Sequence, residues 1–427
     1  VNPANPTHPD ILLPAIIIAA AVIGIVVRPW RSPEYLWAVA GAFGLVACGT
    51  LNWHEGAAAA WEGRDVYAFL LGMMLLSELA REHGLFDWVA GQALSHAGGR
   101  ALGLFNVVFL LGVGVTTVLS NDATAVVLTP AVLVIAQRAK CDPMPPLFAC
   151  AMVANAAGFV LPISNPANLV LFGANMPGFG SWALRFLLPA AVSIGTTYVA
   201  LRLYFRKALA VRLPQGGDGE TKDTDAPRLC GVQRVLLLAF VAIAAALMVV
   251  VSLGGQLGLW TLGLTLVLIA GVCLHARAWP DALLHHLSWQ IFPLVGGLFV
   301  LVAGAERLGA VGLAGRWLTA PRGAIGQAGA SWLVGLLSNL ANNLPVGLFA
   351  GMVNSRGHLS EKLTDMLLLA VDMGPNLAIT GSLATLLWLA ALRRARVEVG
   401  FFSFLKVGLA AMPLPLFLTL LSRLALP

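Results

Sequence analysis

Ser120, Asn121 and Asp122 stand together in "LSNDATAVVLTP", residues 119–130, with oily sequence on both sides. A carboxylate flanked by a hydroxyl and an amide can carry a proton or a cation, or accept hydrogen bonds from a small solute. Ser338 and Asn339 repeat the opening of that phrase in "LSNLANNLP", residues 337–345. Two further apolar runs are interrupted in a similar way. "VLPISNPANLVLF" brings Ser164, Asn165 and Asn168, and "AVDMGPNLAITGS" brings Asp372, Asn376, Thr380 and Ser382. None of the four stretches holds a Lys or Arg. A dicarboxylate or phosphate is ordinarily met by a cation, by bound sodium or by dipoles, so this set favours a neutral hydroxylated solute or a bare cation.

We therefore take Ser120, Asn121, Asp122, Asn165, Asn168, Ser338, Asn339, Asn343 and Asn376 as the candidate solute-binding residues. Thr124, Ser164, Asn342, Thr380 and Ser382 are expected around the same cavity. Asp122 and Asp372 are the two acids placed deepest and are the candidate proton carriers. A helix N-terminus and burial act on such a group in opposite senses, and an acid that merely caps and rigidifies a hairpin tip is the alternative role.

The elements that must position these groups lie in a membrane. The chain has 427 residues, 59% of them hydrophobic and 11% charged, with a mean hydropathy of +0.84. Oily runs fall near residues 11–27, 34–50, 66–80, 101–137, 145–174, 181–205, 233–252, 256–275, 288–305, 326–353, 360–392 and 401–424. Most suit one tilted helix of roughly 20 residues, which makes the chain an all-α polytopic membrane protein. A break at Ser338 leaves arms of about ten to twelve apolar residues, half a bilayer long, which can enter and turn back but not cross. The run at 101–137 breaks at Ser120 in the same way, although its first arm alone could span. A polar turn between two full spans is the competing reading there. Pro162, Pro166 and Pro375 should unwind the runs at 145–174 and 360–392 locally, beyond an ordinary kink. Irregular backbone at that depth survives only where protein or a wet cavity satisfies it.

The same order of features occurs twice: three spans, a re-entrant hairpin, a broken span and a last span. Ser120-Asn121 aligns with Ser338-Asn339, and Pro166-Ala167-Asn168 with Pro375-Asn376. Each half then crosses about five times, and an odd count makes the second half inverted. The first repeat covers 1–206, with a hairpin at about 101–138 and a broken helix at about 145–174. A linker, 207–232, leads to the second repeat, 233–427, with a hairpin at about 326–353 and a broken helix at about 360–392. Inverted repeats with a midplane site between broken helices are the architecture of secondary transporters. Arg81, Arg100, Arg138, Lys140, Arg206, Lys207, Arg393 and Arg394 fall on the more basic side, and Arg64, Arg307, Arg316, Arg356, Lys362 and Arg423 on the other. The richer side is read as cytoplasmic, which puts both termini outside and the polar segment 213–227 in the cytoplasm.

Other chemistries are poorly supported by the sequence. The net charge of +6 comes from short clusters between oily runs, which speaks for topology and against a nucleic-acid face. Cys48, Cys141, Cys150, Cys230 and Cys273 are scattered, without spacing for a zinc site or a disulfide framework. No HExxH, GxSxG or phosphate-binding Gly-rich loop is present, so neither an enzyme nor a built-in ATPase is indicated. Glu78, Glu306 and Arg307 are expected in salt bridges near span ends, and Trp37, Trp53, Trp182 and Trp289 as interfacial anchors.

The phrases "SNDATAVVLTP", "WQIFPLVGG", "LLSNLANNLP" and "DMGPNLAITGSLATLLWL" resemble the arsenite/antimonite efflux permeases (ArsB type) of the ion transporter superfamily, over nearly the whole chain. Dicarboxylate carriers of that superfamily resemble it only in Ser-Asn-Thr hairpin tips. Here Asp122 and Leu340 occupy the third tip positions, a departure that argues against a dicarboxylate. The resemblance implies a scaffold and a mobile transport domain in a bacterial cytoplasmic (inner) membrane, exporting arsenite and antimonite on the proton-motive force. No cofactor is implied. Some members pair with a soluble arsenite-stimulated ATPase, and related carriers often dimerise. Arsenite at neutral pH is mostly the uncharged trihydroxide, which a ring of Asn, Ser and Asp can satisfy without thiols. An elevator-like proton antiporter is the expected mechanism, and a sodium/proton or other ion exchanger using the same acids is the alternative.

Overall fold

A computed structural model describes residues 8–29, 32–213, 229–276, 281–285, 287–320, 323–357 and 359–426. Most of the expected linker lies outside them. Among the described residues the chain is helical, with one isolated bridge between Arg100 and Arg212. The first half contains α1 (His8–Val27), α2 (Glu34–Ala47), α3 (Trp53–Glu62), α4 (Arg64–Glu82), α5 (Leu85–Ser95), α6 (Ala101–Val118), α7 (121–138), α8 (Met144–Ala156), α9 (Pro166–Phe172) and α10 (Phe179–Tyr204). The second contains α11 (Gly231–Ser252), α12 (Leu257–Ala276), α13 (Ile291–Arg307), α14 (Ala310–Thr319), α15 (Gly323–Ala341), α16 (Asn343–Gly357), α17 (Glu361–Met373), α18 (Leu383–Arg394), α19 (Phe401–Ala411) and α20 (Pro413–Leu424). Short helices at Arg206–Leu209 and Asp281–His285 complete the set.

Ala101–Val118, Phe179–Tyr204, Gly231–Ser252, Leu257–His275 and Phe401–Leu424 are each long and apolar enough to cross a bilayer. Ile291–Arg307 and Ala310–Thr319 qualify together, bent by 77°. Leu184, Leu187, Leu253, Val267 and Leu274 are exposed, which suits lipid and not water. The chain is a multi-pass helical membrane protein.

Some local features recur along the chain. Gly84 and Gly309 both take positive φ, 65° and 78°, between the corresponding pairs α4/α5 and α13/α14. Glycine accepts that backbone without Cβ strain. Asn155 and Asp372 each stand one residue before the end of a helix, and the same number of residues separates them from the caps Asn165 and Ser382 of the next helix. Pro166 therefore matches Leu383, so the sequence pairing of Pro166 with Pro375 is corrected by this cap-to-cap register.

Packing interleaves the halves. Helix α4 lies on α12, and α2 on α13. Trp388 of α18 donates to Leu147 O at 3.0 Å and sits with Phe148 and Phe404 in the cluster built on α6–α8. Reciprocally, Trp182 of α10 joins the cluster around α15–α17. Trp182 is fully buried, bonded to Phe159 O at 3.1 Å and packed on Phe186, so it is core and not an interfacial anchor. Trp53 and Trp289 are more than half exposed.

The hairpins differ from expectation in one respect. Helix α15 runs through Ser338 and Asn339 and ends at Ala341, because Asn342 is the residue that adopts the left-handed conformation, φ 69°. The second hairpin's arms, 19 and 15 residues, extend about 28 and 22 Å at an α-helical rise, longer than the half-membrane arms inferred from a break at Ser338. Arm length alone therefore does not force re-entry.

Candidate functional site

The first hairpin turns at Ser120, whose φ of 150° is strained for a residue with a Cβ. Its hydroxyl caps the returning helix by accepting from Ala123 N at 3.4 Å. Pro130 has no amide to offer Val126, and the turn Thr124–Leu128 widens to π geometry just beyond Asp122. At the second hairpin the cap is Asn342, whose Oδ1 accepts from Leu344 N at 3.3 Å. The structural partner of Ser120 is thus Asn342. Ser338 and Asn339, where the break was expected, are inside α15, where Ser338 Oγ bonds back to Val334 O.

Each tip docks on the broken span of its own half. Asn121 N donates to Ser164 O at 3.0 Å, and Ser164 Oγ to Thr117 O at 3.1 Å. Asn339 Nδ2 donates to Gly374 O at 2.8 Å, its Oδ1 accepts from Ala378 N at 2.9 Å, and Thr380 Oγ1 donates to Asn339 O at 2.8 Å. A methyl on Gly374 would overlap Gly335 O, so α15 can lie this close only against glycine.

The two breaks, 157–165 and 374–382, meet each other. Asn165 Nδ2 donates to Asp372 Oδ1 at 2.8 Å, and Asn155 Nδ2 to Asn376 Oδ1 at 2.9 Å. Asn376 Nδ2 continues to Met152 O, while Asn168 Nδ2 is held by Gly158 O at 2.8 Å and Pro162 O at 3.2 Å. Because these amide groups face carbonyls, their oxygens must face the other way. Asn121 Oδ1, Asn155 Oδ1, Asn168 Oδ1, Asn343 Oδ1 and Asp372 Oδ2 are buried without a hydrogen-bond partner among the described residues. All are acceptors. Asn155 was not among the sequence candidates; its signal is an Asn inside the apolar run "AMVANAAGFV".

Asp122 lies apart from this crossing. It is half-buried, has no hydrogen-bond partner among the described residues, and faces a cavity of about 60 Å³ between α4 and the first hairpin. Ser77, Glu78, Ser120, Pro166, Ser288 and Leu387 share that lining, closed by Leu70, Met73, Met74, Val126 and Val127. Ser338, Asn339, Asn343, Asn168, Asn376 and Asp372 do not line it. The sequence candidates thus divide into a cavity group, Ser120 and Asp122, and a crossing group, Asn165, Asn168, Asn376 and Asp372, bridged by Asn121.

Charges near span ends pair as expected: Glu78 with Arg81, Glu306 with Arg356 at 2.7 Å, and Arg307 with Glu55. Glu78 is nonetheless buried. A deeper ion network had no counterpart in the sequence reading. Asp365 of α17 is fully buried, with Arg423 Nε at 2.9 Å from one oxygen and Arg185 Nη1 at 3.5 Å from the other. Arg423, assigned to a membrane-surface charge, is only 2% exposed. The five cysteines stand on five separate segments, and Cys150 is buried in α8.

The chain is similar to known proteins in fold and in sequence. A solved transporter, YdaH of Alcanivorax borkumensis, superposes with a TM-score of 0.52 at 14% identity, covering 96% of this chain and 98% of its own. The arsenical pump membrane protein of Yersinia enterocolitica is 27% identical over 373 residues, 84% of this chain and 85% of that protein. That of Escherichia coli strain K12 is likewise 27% identical over 373 residues, with the same coverage. The family described as Citrate transporter (CitMHS) matches residues 13–373, most of the chain, hairpins and first break included. By that match the chain belongs to the CitMHS family of membrane transporters.

Proposed function

We propose that this chain exports arsenite and antimonite as neutral trihydroxides, in exchange for protons, across a bacterial cytoplasmic membrane. The observation that carries the choice of solute is the pair of Asp122 carboxylate oxygens that face the cavity without a hydrogen-bond partner among the described residues. They require donors. A trihydroxide brings three O–H groups, whereas citrate at neutral pH brings carboxylate acceptors and would meet no Lys or Arg on the cavity wall. The relatives named arsenical pump membrane proteins support the same solute.

In this reading Asp122 takes a proton from outside and releases it to the cytoplasm, and the outward move carries the solute. Exchange of the two loads at one cavity gives direction without a cofactor. Asp372 is the second candidate carrier. The mobile part is the pair of hairpins with the broken spans, sliding in an elevator-like motion against α1–α4 and α11–α13.

Loop contacts support the inverted arrangement of the halves. Gln233, opening α11, bonds His83 O and Gly84 O at the end of α4, while Leu259 N, opening α12, bonds Asp65 at its start. Arg307, ending α13, pairs with Glu55, and its cavity is shared with Glu62, beside the start of α4. The equivalent helices α4 and α13 then run in opposite directions. A separate ATPase subunit would dock on the more basic side; dimerisation through the frame helices belongs to the same proposal.

Ligand-dependent melting of the purified protein tests the solute. Arsenite or antimonite at about 100 times its dissociation constant should stabilise by about 2.7 kcal/mol, with no effect of citrate. Stabilisation by citrate alone would replace this reading with the one that the family description carries.

A further inference from the structure

We infer that Glu78 is the fixed counterpart of Asp122, an acid on the frame that lets the unprotonated, empty carrier close only at high cost and so enforces coupling. The inference rests on the proposed proton exchange at Asp122. Both side chains line the cavity of about 60 Å³, Glu78 from α4 and Asp122 from the hairpin tip. In the proposed elevator-like motion the two walls belong to different parts.

Their compensation is unequal. Glu78 is 8% exposed and is held by Arg81, whose Nε lies 2.9 Å from Oε2. Asp122 has no such partner. Around the cavity, α9 contributes Pro166, the segment before α13 contributes Leu287 and Ser288, α13 contributes Ile291 and α18 contributes Leu387, none of them ionisable. Outside it, Glu82 also acts on the charge of Arg81. When the hairpin seats against α4 with Asp122 ionised and nothing bound, a carboxylate without a cation enters a small cavity that already faces Glu78, whose charge is shared with the 41% exposed Arg81. Repulsion there is poorly screened. A proton on Asp122, or a solute that donates to it, removes the penalty.

The repeat supplies an independent argument. Counting from Gly84 and Gly309, Ala303 takes the place of Glu78; counting from Ser120 and Asn342, Leu344 takes the place of Asp122. Both acids are present in the first half and both are apolar in the second. An acid that only anchored a span end would not need to vanish together with Asp122.

The test is a proteoliposome assay in which antimonite movement and proton movement are recorded together for wild type, Glu78→Gln and Glu78→Asp. Glu78→Gln should still exchange antimonite for antimonite, but protons moved per antimonite should fall at least about twofold as unscreened repulsion is removed. Glu78→Asp should restore the ratio. A wild-type ratio in Glu78→Gln would overturn the inference, as would loss of antimonite exchange, which would mark Glu78 as structural. If wild type itself moves no antimonite, the proposed solute has failed and not the role of Glu78.

Discussion

Asp122→Asn is expected to reduce proton-driven solute accumulation to the level of vesicles lacking the protein, with the fold intact. The substitution is isosteric, and Asp122 has no hydrogen bond among the described residues to lose. Ser120 still caps the helix. The amide cannot carry a proton through the cycle, so the cavity remains and the coupling goes. Asp372→Asn is the paired control. Its Oδ1 can keep accepting from Asn165 Nδ2, and a protein that still accumulates solute leaves Asp122 as the sole carrier of the two. Full proton-coupled accumulation by Asp122→Asn, measured as solute uptake driven by an imposed pH gradient, would end this assignment.

Arg423→Met should give the largest loss of stability, about 3–5 kcal/mol, because it leaves a buried carboxylate short of its closest cation. Asp365 is completely buried, and its remaining cation, Arg185, is shared with Glu361. The network ties α17 to α10 and α20, and α17 carries Asp372 into the crossing. Arg356→Met is the comparison. Arg356 is 68% exposed in its pair with Glu306, so its loss should cost no more than about 1 kcal/mol. Melting of the two variants in detergent separates these cases, and equal losses would contradict the account of the buried network.

The sequence made the helical membrane class and both interrupted spans legible, because long oily runs and prolines act locally. The runs at 145–174 and 360–392 are interrupted where Pro162, Pro166 and Pro375 deny the backbone its donors. Register was harder. The shared Ser-Asn of the two hairpins is a likeness of letters, while the chain turns where backbone conformation demands it, at Ser120 and at Asn342. Asn tolerates the left-handed region, and a tip holding Asn339, Asn342 and Asn343 gives no sign of which residue will use that freedom. Contacts distant in sequence stayed hidden for a different reason. Asp365 and Arg423 read as ordinary span-end charges until packing puts them together, and Asn155 meets Asn376 only because the breaks cross. The candidate site was gathered into one cavity from its residue types; the structure divides it between the Asp122 cavity and the crossing of the two breaks.

Arsenite uptake into everted membrane vesicles, under an imposed pH gradient, under a sodium gradient and under neither, tests the central claim most directly. The account predicts uptake that follows the pH gradient, ignores sodium and citrate, and disappears in Asp122→Asn. Uptake of citrate instead, or sodium-proton exchange without arsenite movement through the same Asp122, would contradict it.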